Sequence, residues 1–127
     1  MMQKNKIHVI AVDDEEDAEL LYTHFFEDEV AQGIVNLTFI NSPLKCLDIL
    51  PSLEGNRVVL SDINMPDMSG FELLEKIKDF DESIKVLMVS AYDLKDYIDK
   101  CFDLGAEEFL VKPINFIELK NRILKLF

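Results

Sequence analysis

The sequence predicts an α/β fold, a doubly wound five-stranded parallel sheet of order 2-1-3-4-5 with helices on both faces. Short apolar runs alternate five times with longer segments of helical spacing, which is typical of parallel β-α units. Three of these runs are mainly apolar, as expected of strands that are covered on both faces. Of the other two runs, one contains polar residues and one is short, which favours positions at the edges of the sheet.

The strands follow from runs rich in Ile and Val, residues that favour extended backbone. The outer runs are NLTFI, which mixes Asn and Thr with apolar residues, and EFLV, which is only four residues long. The central runs are IHVIAV, VVLS and IKVLMVS. In chain order, the five predicted strands are 7–12, 36–40, 58–61, 84–90 and 108–111.

The helices follow from apolar residues that recur at steps of three and four. One such stripe follows each strand, and no linker, repeat or low-complexity segment interrupts them, so we expect a single domain over residues 1–127. The stripes are Ala18, Leu21, Tyr22, Phe25 and Phe26; Leu44, Leu47 and Leu50; Phe71, Leu74 and Ile77; Leu94, Tyr97, Ile98, Cys101 and Phe102; and Phe116, Leu119, Ile123 and Phe127.

Composition narrows the class of protein. A net charge of −12 argues against direct binding to nucleic acid and to anionic membranes, and it favours a basic partner or a bound cation. No apolar run reaches the length of a membrane span. The two cysteines, Cys46 and Cys101, are too few for a disulfide framework and indicate reduced thiols in a cytoplasmic protein.

Carboxylates follow two strands that we expect to be neighbours. Asp13 and Asp14 come directly after the first strand, and Asp62 follows the third. Because the carboxyl ends of parallel strands meet at one edge, these three groups should converge and repel one another. Oxygen ligands without imidazole or thiolate favour a hard cation, and Mg²⁺ is our prediction. The acidic residues 15–17 are explained instead by the dipole of the following helix.

Two further polar residues end the remaining strands. Ser90 closes the fourth strand and Lys112 follows the fifth. Taken singly, the serine is a common strand-end or capping residue, and the lysine is a surface residue with a buried stem. Beside three carboxylates, a hydroxyl and an ammonium group favour contact with a transferring phosphoryl group.

These residues together resemble the receiver domain of two-component response regulators. The resemblance covers 6–127 and rests on Asp13-Asp14, on DINMPDMSG from Asp62, on SA at 90–91 and on KP at 112–113. It implies a flavodoxin-like receiver fold with the same strand order. It also implies a signalling domain that assists its own phosphorylation and dephosphorylation and is not a conventional enzyme.

The resemblance implies a role for each site residue. Asp62 would accept a phosphoryl group from the phosphohistidine of a histidine kinase or a phosphotransfer protein. The implied metal ligands are Asp13, Asp14, Asp62 and the backbone carbonyl of Asn64; the implied phosphate contacts are Ser90 and Lys112; the implied switch residues are Ser90 and Phe109; and the implied cis-proline is Pro113.

The implied output surface is formed by the fourth helix, the fifth strand and the fifth helix. It would control a downstream protein or a fused output domain, and it could support a homodimer on phosphorylation. The charges on the two helices mix both signs: Lys95, Asp96, Asp99, Lys100, Lys120 and Arg122. Phe109 stands where the family often has tyrosine, and Asn64 and Tyr92 lie at positions that tune dephosphorylation.

Four other classes of protein share part of the pattern. A haloacid dehalogenase-type phosphatase, which also forms an aspartyl phosphate, is the alternative function, although Asn64 stands where its acid/base aspartate belongs. Flavodoxin would need a phosphate-binding loop after the first strand, where this chain is acidic. An EF-hand is excluded because Pro66 occupies a ligand position. A receiver-like module without phosphorylation is disfavoured because each site position holds a competent residue.

Overall fold

The computed structural model describes residues 6–127, whose five strands form one parallel sheet of order β2-β1-β3-β4-β5. This confirms the predicted order and both predicted edge strands. Residues 1–5 of the expected domain lie outside the described residues. The strands are β1 (Ile7–Val12), β2 (Val35–Ile40), β3 (Asn56–Asp62), β4 (Lys85–Ser90) and β5 (Glu108–Val111).

Six helices, rather than the five predicted, connect the strands. They are α1 (Asp17–Phe25), α2 (Glu27–Ala31), α3 (Pro43–Ile49), α4 (Gly70–Phe80), α5 (Lys95–Asp103) and α6 (Phe116–Lys125), and a 3₁₀ turn at Leu50–Ser52 follows α3. Among the helices of residues 6–127, none combines the length and apolar composition that crossing a bilayer requires. Because α2 is the additional helix, the helices predicted as the fourth and fifth correspond to α5 and α6.

The additional helix arises because the first helical segment bends at Phe26. The φ and ψ of Phe26 are −103° and 8°, outside the helical region. Its ring is fully buried, whereas Glu27 and Asp28 are exposed. The bend thus keeps the aromatic ring in the core while the acidic residues after it remain in solvent. Periodicity does not reveal it, because the apolar spacing continues through the bend.

The sheet separates two apolar cores. Val9 and Ala11 of β1 point to the side covered by α1 and α6, where they meet Tyr22 and Leu119. Ile10 and Val12, which alternate with them along β1, point to the side covered by α3, α4 and α5. Burial on both faces explains why the middle of each central strand is apolar, as at 9–12 in β1, 58–60 in β3 and 86–89 in β4.

Gly70 sets how closely α4 approaches the end of β3. Its N–H donates to the carbonyl of Ile63 over 2.7 Å. A Cβ atom at this position would overlap the backbone oxygen of Asp62 and lie 2.7 Å from the Cα of Ile63. The hydroxyl of Ser69 caps the helix by accepting the N–H of Glu72 over 3.2 Å. Glycine therefore allows the helix to begin directly behind the strand end.

Gly70→Ala should lower the free energy of unfolding by about 1–3 kcal/mol, because the added methyl group forces backbone apart in a packed region. Glu75→Ala, which places alanine on the exposed side of the same helix, should leave stability nearly unchanged. Urea unfolding of both variants measures the difference. Equal stabilities would mean that α4 can move away from β3 at little cost.

Candidate functional site

Strand register brings the predicted acidic residues together. Val12 of β1 lies opposite Ser61 of β3, so Asp13 and Asp62 leave the sheet side by side. Oxygen atoms of Asp13, Asp14 and Asp62 all lie within 4.8 Å of one another. Asp13 and Asp62 are buried at 5% and 8% exposure, whereas Asp14 is exposed. The convergence expected from strand order is therefore present in the structure.

Lys112 lies among these carboxylates. Ser90 of β4 is opposite Val111 of β5, and the N–H of Lys112 donates to the carbonyl of Ser90 over 2.8 Å. From this anchored backbone, the Nζ of Lys112 reaches Asp62 Oδ2 at 3.0 Å and Asp13 Oδ2 at 3.1 Å. One ammonium group thus bridges the two buried carboxylates.

The electrostatics leave the cluster with an excess of negative charge. Burial raises the pKa of Asp62, the hydrogen bond and charge of Lys112 oppose that rise, and the charges of Asp13 and Asp14 add to it. The pKa of Asp62 remains above its ordinary value. Burial lowers the pKa of Lys112, but its bonds and attraction to Asp62 and Asp13 outweigh this and raise it overall. Lys112 therefore stays protonated, and a second cation would relieve the remaining repulsion.

The donor set fits Mg²⁺. Carboxylate oxygens from three residues are close enough to share one ion, and this ion prefers such hard ligands. Lys112 uses the Oδ2 atoms of Asp13 and Asp62, and Asp13 Oδ1 accepts the N–H of Glu15 over 2.9 Å. Asp14 is exposed and forms no ion pair within residues 6–127. Asp14 and the second oxygen of Asp62 thus remain open to an incoming ion.

The other predicted residues lie around the cluster. Ser90 is fully buried, and its Oγ accepts the N–H of Tyr92 over 3.0 Å. Phe109 is half-buried on β5 and packs on the side of the sheet that faces α5. The side chain of Asn64 is exposed in the loop after β3. The Lys112–Pro113 peptide bond is cis.

Glu15 is a site residue that the sequence analysis assigned elsewhere. We attributed it to the first turn of a helix, but α1 begins at Asp17, and Glu15 precedes it. Its Oε1 lies 3.4 Å from the Nζ of Lys112. No sequence signal separates Glu15 from the acidic residues beside it, since the contact depends on where α1 begins.

An apolar cavity of about 540 Å³ opens beside the cluster, and it was not expected from the sequence. Tyr22, which is only 3% exposed, forms part of its wall. Burial raises the pKa of Tyr22, and the charges of Asp13 and Asp62 raise it further. The cavity is lined by Leu21, Phe25, Pro113, Ile114 and Phe116, and it ends at Asp13 and Lys112.

Comparison with known families identifies this arrangement. The response regulator receiver domain family matches residues 9–124, which include each strand-end residue of the cluster. The chain belongs to this family. Receiver domains are signalling domains of two-component systems, and membership favours that class over the haloacid dehalogenase-type alternative.

Curated relatives of this receiver domain include plant response regulators. The two-component response regulator ARR5 of Arabidopsis thaliana is 30% identical over an alignment that covers 91% of this chain and 67% of the relative. ORR12 of Oryza sativa subsp. japonica is 30% identical over 114 residues, which cover 88% of this chain and 91% of the relative. Both are similar to the receiver domain along most of its length.

Solved structures share the fold. A CheY-like receiver domain protein from Methanospirillum hungatei has a TM-score of 0.84 at 26% identity, covering 95% of this chain and 94% of the other. The chemotaxis protein CheY4 of Vibrio cholerae has a TM-score of 0.83 at 22% identity, covering 96% and 99%. The receiver domain of Ssk1 from Saccharomyces cerevisiae, solved with the histidine phosphotransfer protein Ypd1, has a TM-score of 0.84 at 19% identity, covering 96% and 89%.

Mg²⁺ should raise the melting temperature of the receiver domain, because an ion bound by the folded carboxylate cluster would relieve its repulsion. At about one hundred times its dissociation constant, a ligand of the folded state adds about 2.7 kcal/mol of stability. Thermal melts with EDTA and with MgCl₂ measure the shift. Asp14→Ala should reduce it strongly, whereas Glu16→Ala should retain it. An unchanged wild-type melting temperature would contradict a metal site here.

The raised pKa of Asp62 predicts a pH-dependent effect of Asp62→Asn in EDTA. The carboxyl binds its proton more tightly in the folded state than in the unfolded state, where its pKa is the ordinary 3.8. Its contribution to the free energy of unfolding therefore falls as the pH rises from 3.8 through the pKa of the folded state. Near pH 7, Asp62→Asn should melt at a higher temperature than the wild type, and below pH 3.8 the difference should shrink. A variant less stable at neutral pH would show that Lys112 outweighs burial and repulsion.

Proposed function

We propose that this receiver domain accepts a phosphoryl group on Asp62, in the presence of Mg²⁺, and so switches its α5-β5-α6 surface. One observation supports the proposal above all: an aspartate with a raised pKa lies 3.0 Å from a half-buried ammonium group and within reach of two further carboxylates. Phosphoryl transfer needs a nucleophile, a metal site and a cation for the spread charge, and these residues offer all three.

The chain's own residues divide the chemistry. Lys112 holds Asp62 Oδ2 before the reaction. One oxygen of Asp62 would attack phosphorus in line with the departing nitrogen of a phosphohistidine, and the other would remain with the metal ion. The phosphorus–nitrogen bond breaks as the oxygen–phosphorus bond of an aspartyl phosphate forms. Lys112 and the hydroxyl of Ser90 would then contact the phosphoryl oxygens. Mg²⁺, held by Asp13, Asp14, Asp62 and the carbonyl of Asn64, would offset the charge that develops.

The switch would pass through Ser90 and Phe109. The Oγ of Ser90 now accepts a backbone N–H from Tyr92, and a phosphoryl group on Asp62 would draw the hydroxyl away from it. Phe109 lies on β5, the strand next to Ser90, and is only half-buried. Its ring would turn inward into the space that Ser90 vacates. This movement would alter β5 and the two helices beside it.

The α5-β5-α6 surface has features of a partner site. Its elements expose the large apolar residues Phe102, Val111, Ile117 and Leu124. Its mixed charges are less available than the sequence suggested. Lys120 pairs with Glu29 of α2 at 3.2 Å, and Arg122 pairs with Glu108 and Glu118. A downstream protein, a fused output domain or a second copy would therefore meet exposed apolar residues beside two cations, Lys120 and Arg122, that are already paired.

The donor would be a histidine kinase or a phosphotransfer protein. The similar Ssk1 receiver domain was solved with the phosphotransfer protein Ypd1, which supports a partner of this class. The net charge of −12 disfavours direct contact with nucleic acid and with anionic membranes. The buried free thiols Cys46 and Cys101 suit the reducing cytoplasm. In this setting residues 1–127 would act as one receiver unit.

Asp62→Asn should abolish labelling by radioactive acetyl phosphate with Mg²⁺, because the amide oxygen is a poor nucleophile. Asp67→Asn, in the same loop and exposed, should label like the wild type. Incorporation of label after gel separation measures both. Undiminished labelling of Asp62→Asn would place the acceptor elsewhere, and an unlabelled wild type would argue against the proposed chemistry.

A further inference from the structure

Lys112 contacts three carboxylates, and one of them lies outside the proposed metal set. Asp13 and Asp62 are buried, whereas the side chain of Glu15 is 70% exposed and its Oε1 lies 3.4 Å from Nζ. The backbone of Glu15 is held because its N–H donates to Asp13 Oδ1 over 2.9 Å. Glu15 thus combines a fixed main chain with a side chain that is free to leave the lysine.

We propose that Glu15 is a positioning residue that competes with the phosphoryl group for Lys112. The inference rests on the proposed function, since it concerns how that phosphoryl group is received. Once a cation shares the charge of Asp13 and Asp62, Glu15 is the remaining anionic partner of Lys112 within residues 6–127. An arriving phosphoryl group must displace its carboxylate and overcome its repulsion.

The exposure of the Glu15 side chain limits how strongly its charge can affect binding of a phosphoryl group. An ion pair in solvent contributes little because water and salt screen it, and Glu15 is mostly solvated. Removing its charge should therefore improve binding of a phosphoryl-like anion by about 1.5- to 5-fold. A change of this size leaves folding intact. It alters the rate at which the phosphorylated state forms and the lifetime of that state.

Glu16 provides a matched control for net charge. It is the next residue, is exposed, and forms no ion pair with Lys112, whose partners in residues 6–127 are Asp13, Glu15 and Asp62. Glu15→Gln and Glu16→Gln remove the same charge from almost the same place. Glu15→Asp keeps the charge but shortens the side chain, so it separates contact with Lys112 from charge alone.

The experiment measures beryllofluoride binding in MgCl₂ by isothermal titration calorimetry, together with the rate of labelling by acetyl phosphate. We expect Glu15→Gln to bind beryllofluoride about 1.5- to 5-fold more tightly and to label faster, and Glu16→Gln to match the wild type. Glu15→Asp should shift in the same direction as Glu15→Gln. The gain in beryllofluoride affinity of Glu15→Gln should be smaller at high salt, because screening weakens exposed ion pairs.

A second titration, with MgCl₂ alone, separates competition for Lys112 from general electrostatics. Loss of one negative charge near the cluster should change Mg²⁺ binding only slightly, and to the same extent in Glu15→Gln and Glu16→Gln. Equal beryllofluoride affinities for these two variants would overturn the inference, as would weaker binding by Glu15→Gln. Failure of wild-type protein to bind beryllofluoride or to take label would overturn the proposed function as well.

Discussion

Lys112 carries one positive charge into a group of carboxylates, and the carboxyl edge of the sheet is arranged around it. Its ammonium group joins β5 to Asp13 of β1 and Asp62 of β3, although β4 lies between β5 and β3. One cation cannot balance two buried carboxylates and the exposed Asp14 beside them. The remaining negative charge makes the cluster suitable for a divalent ion. Burial, together with the charges of Asp13 and Asp14, keeps the pKa of Asp62 above its ordinary value although Lys112 lowers it.

The architecture that supports this interaction could be predicted from the sequence. Alternating apolar runs and helical stripes led to the strand order, because right-handed crossovers leave few arrangements of five parallel strands. Strand order then placed Asp13 beside Asp62, since neighbouring parallel strands end at the same edge. The position of Lys112 followed from the end of β5. These predictions depend on periodicity and chirality, which a single sequence carries.

Side-chain partners distant in sequence could not be predicted in this way. Glu15 reaches Lys112 only because α1 begins at Asp17, a boundary that an acidic run does not mark. Lys120 turns to Glu29 of α2, a helix that exists because the chain bends at Phe26. Such contacts depend on a few ångströms of backbone placement. Apolar spacing is unchanged by displacements of that size.

The location of Lys112 on the sheet also links the site to local opening of the fold. It follows β5, an edge strand of four residues that is hydrogen-bonded to a neighbour on one side only. Short edge strands open more easily than central ones. Each opening of β5 would withdraw the ammonium group from Asp62, while β1 and β3 keep the carboxylates in place. Amide exchange along this strand therefore bears on how long the cluster remains complete.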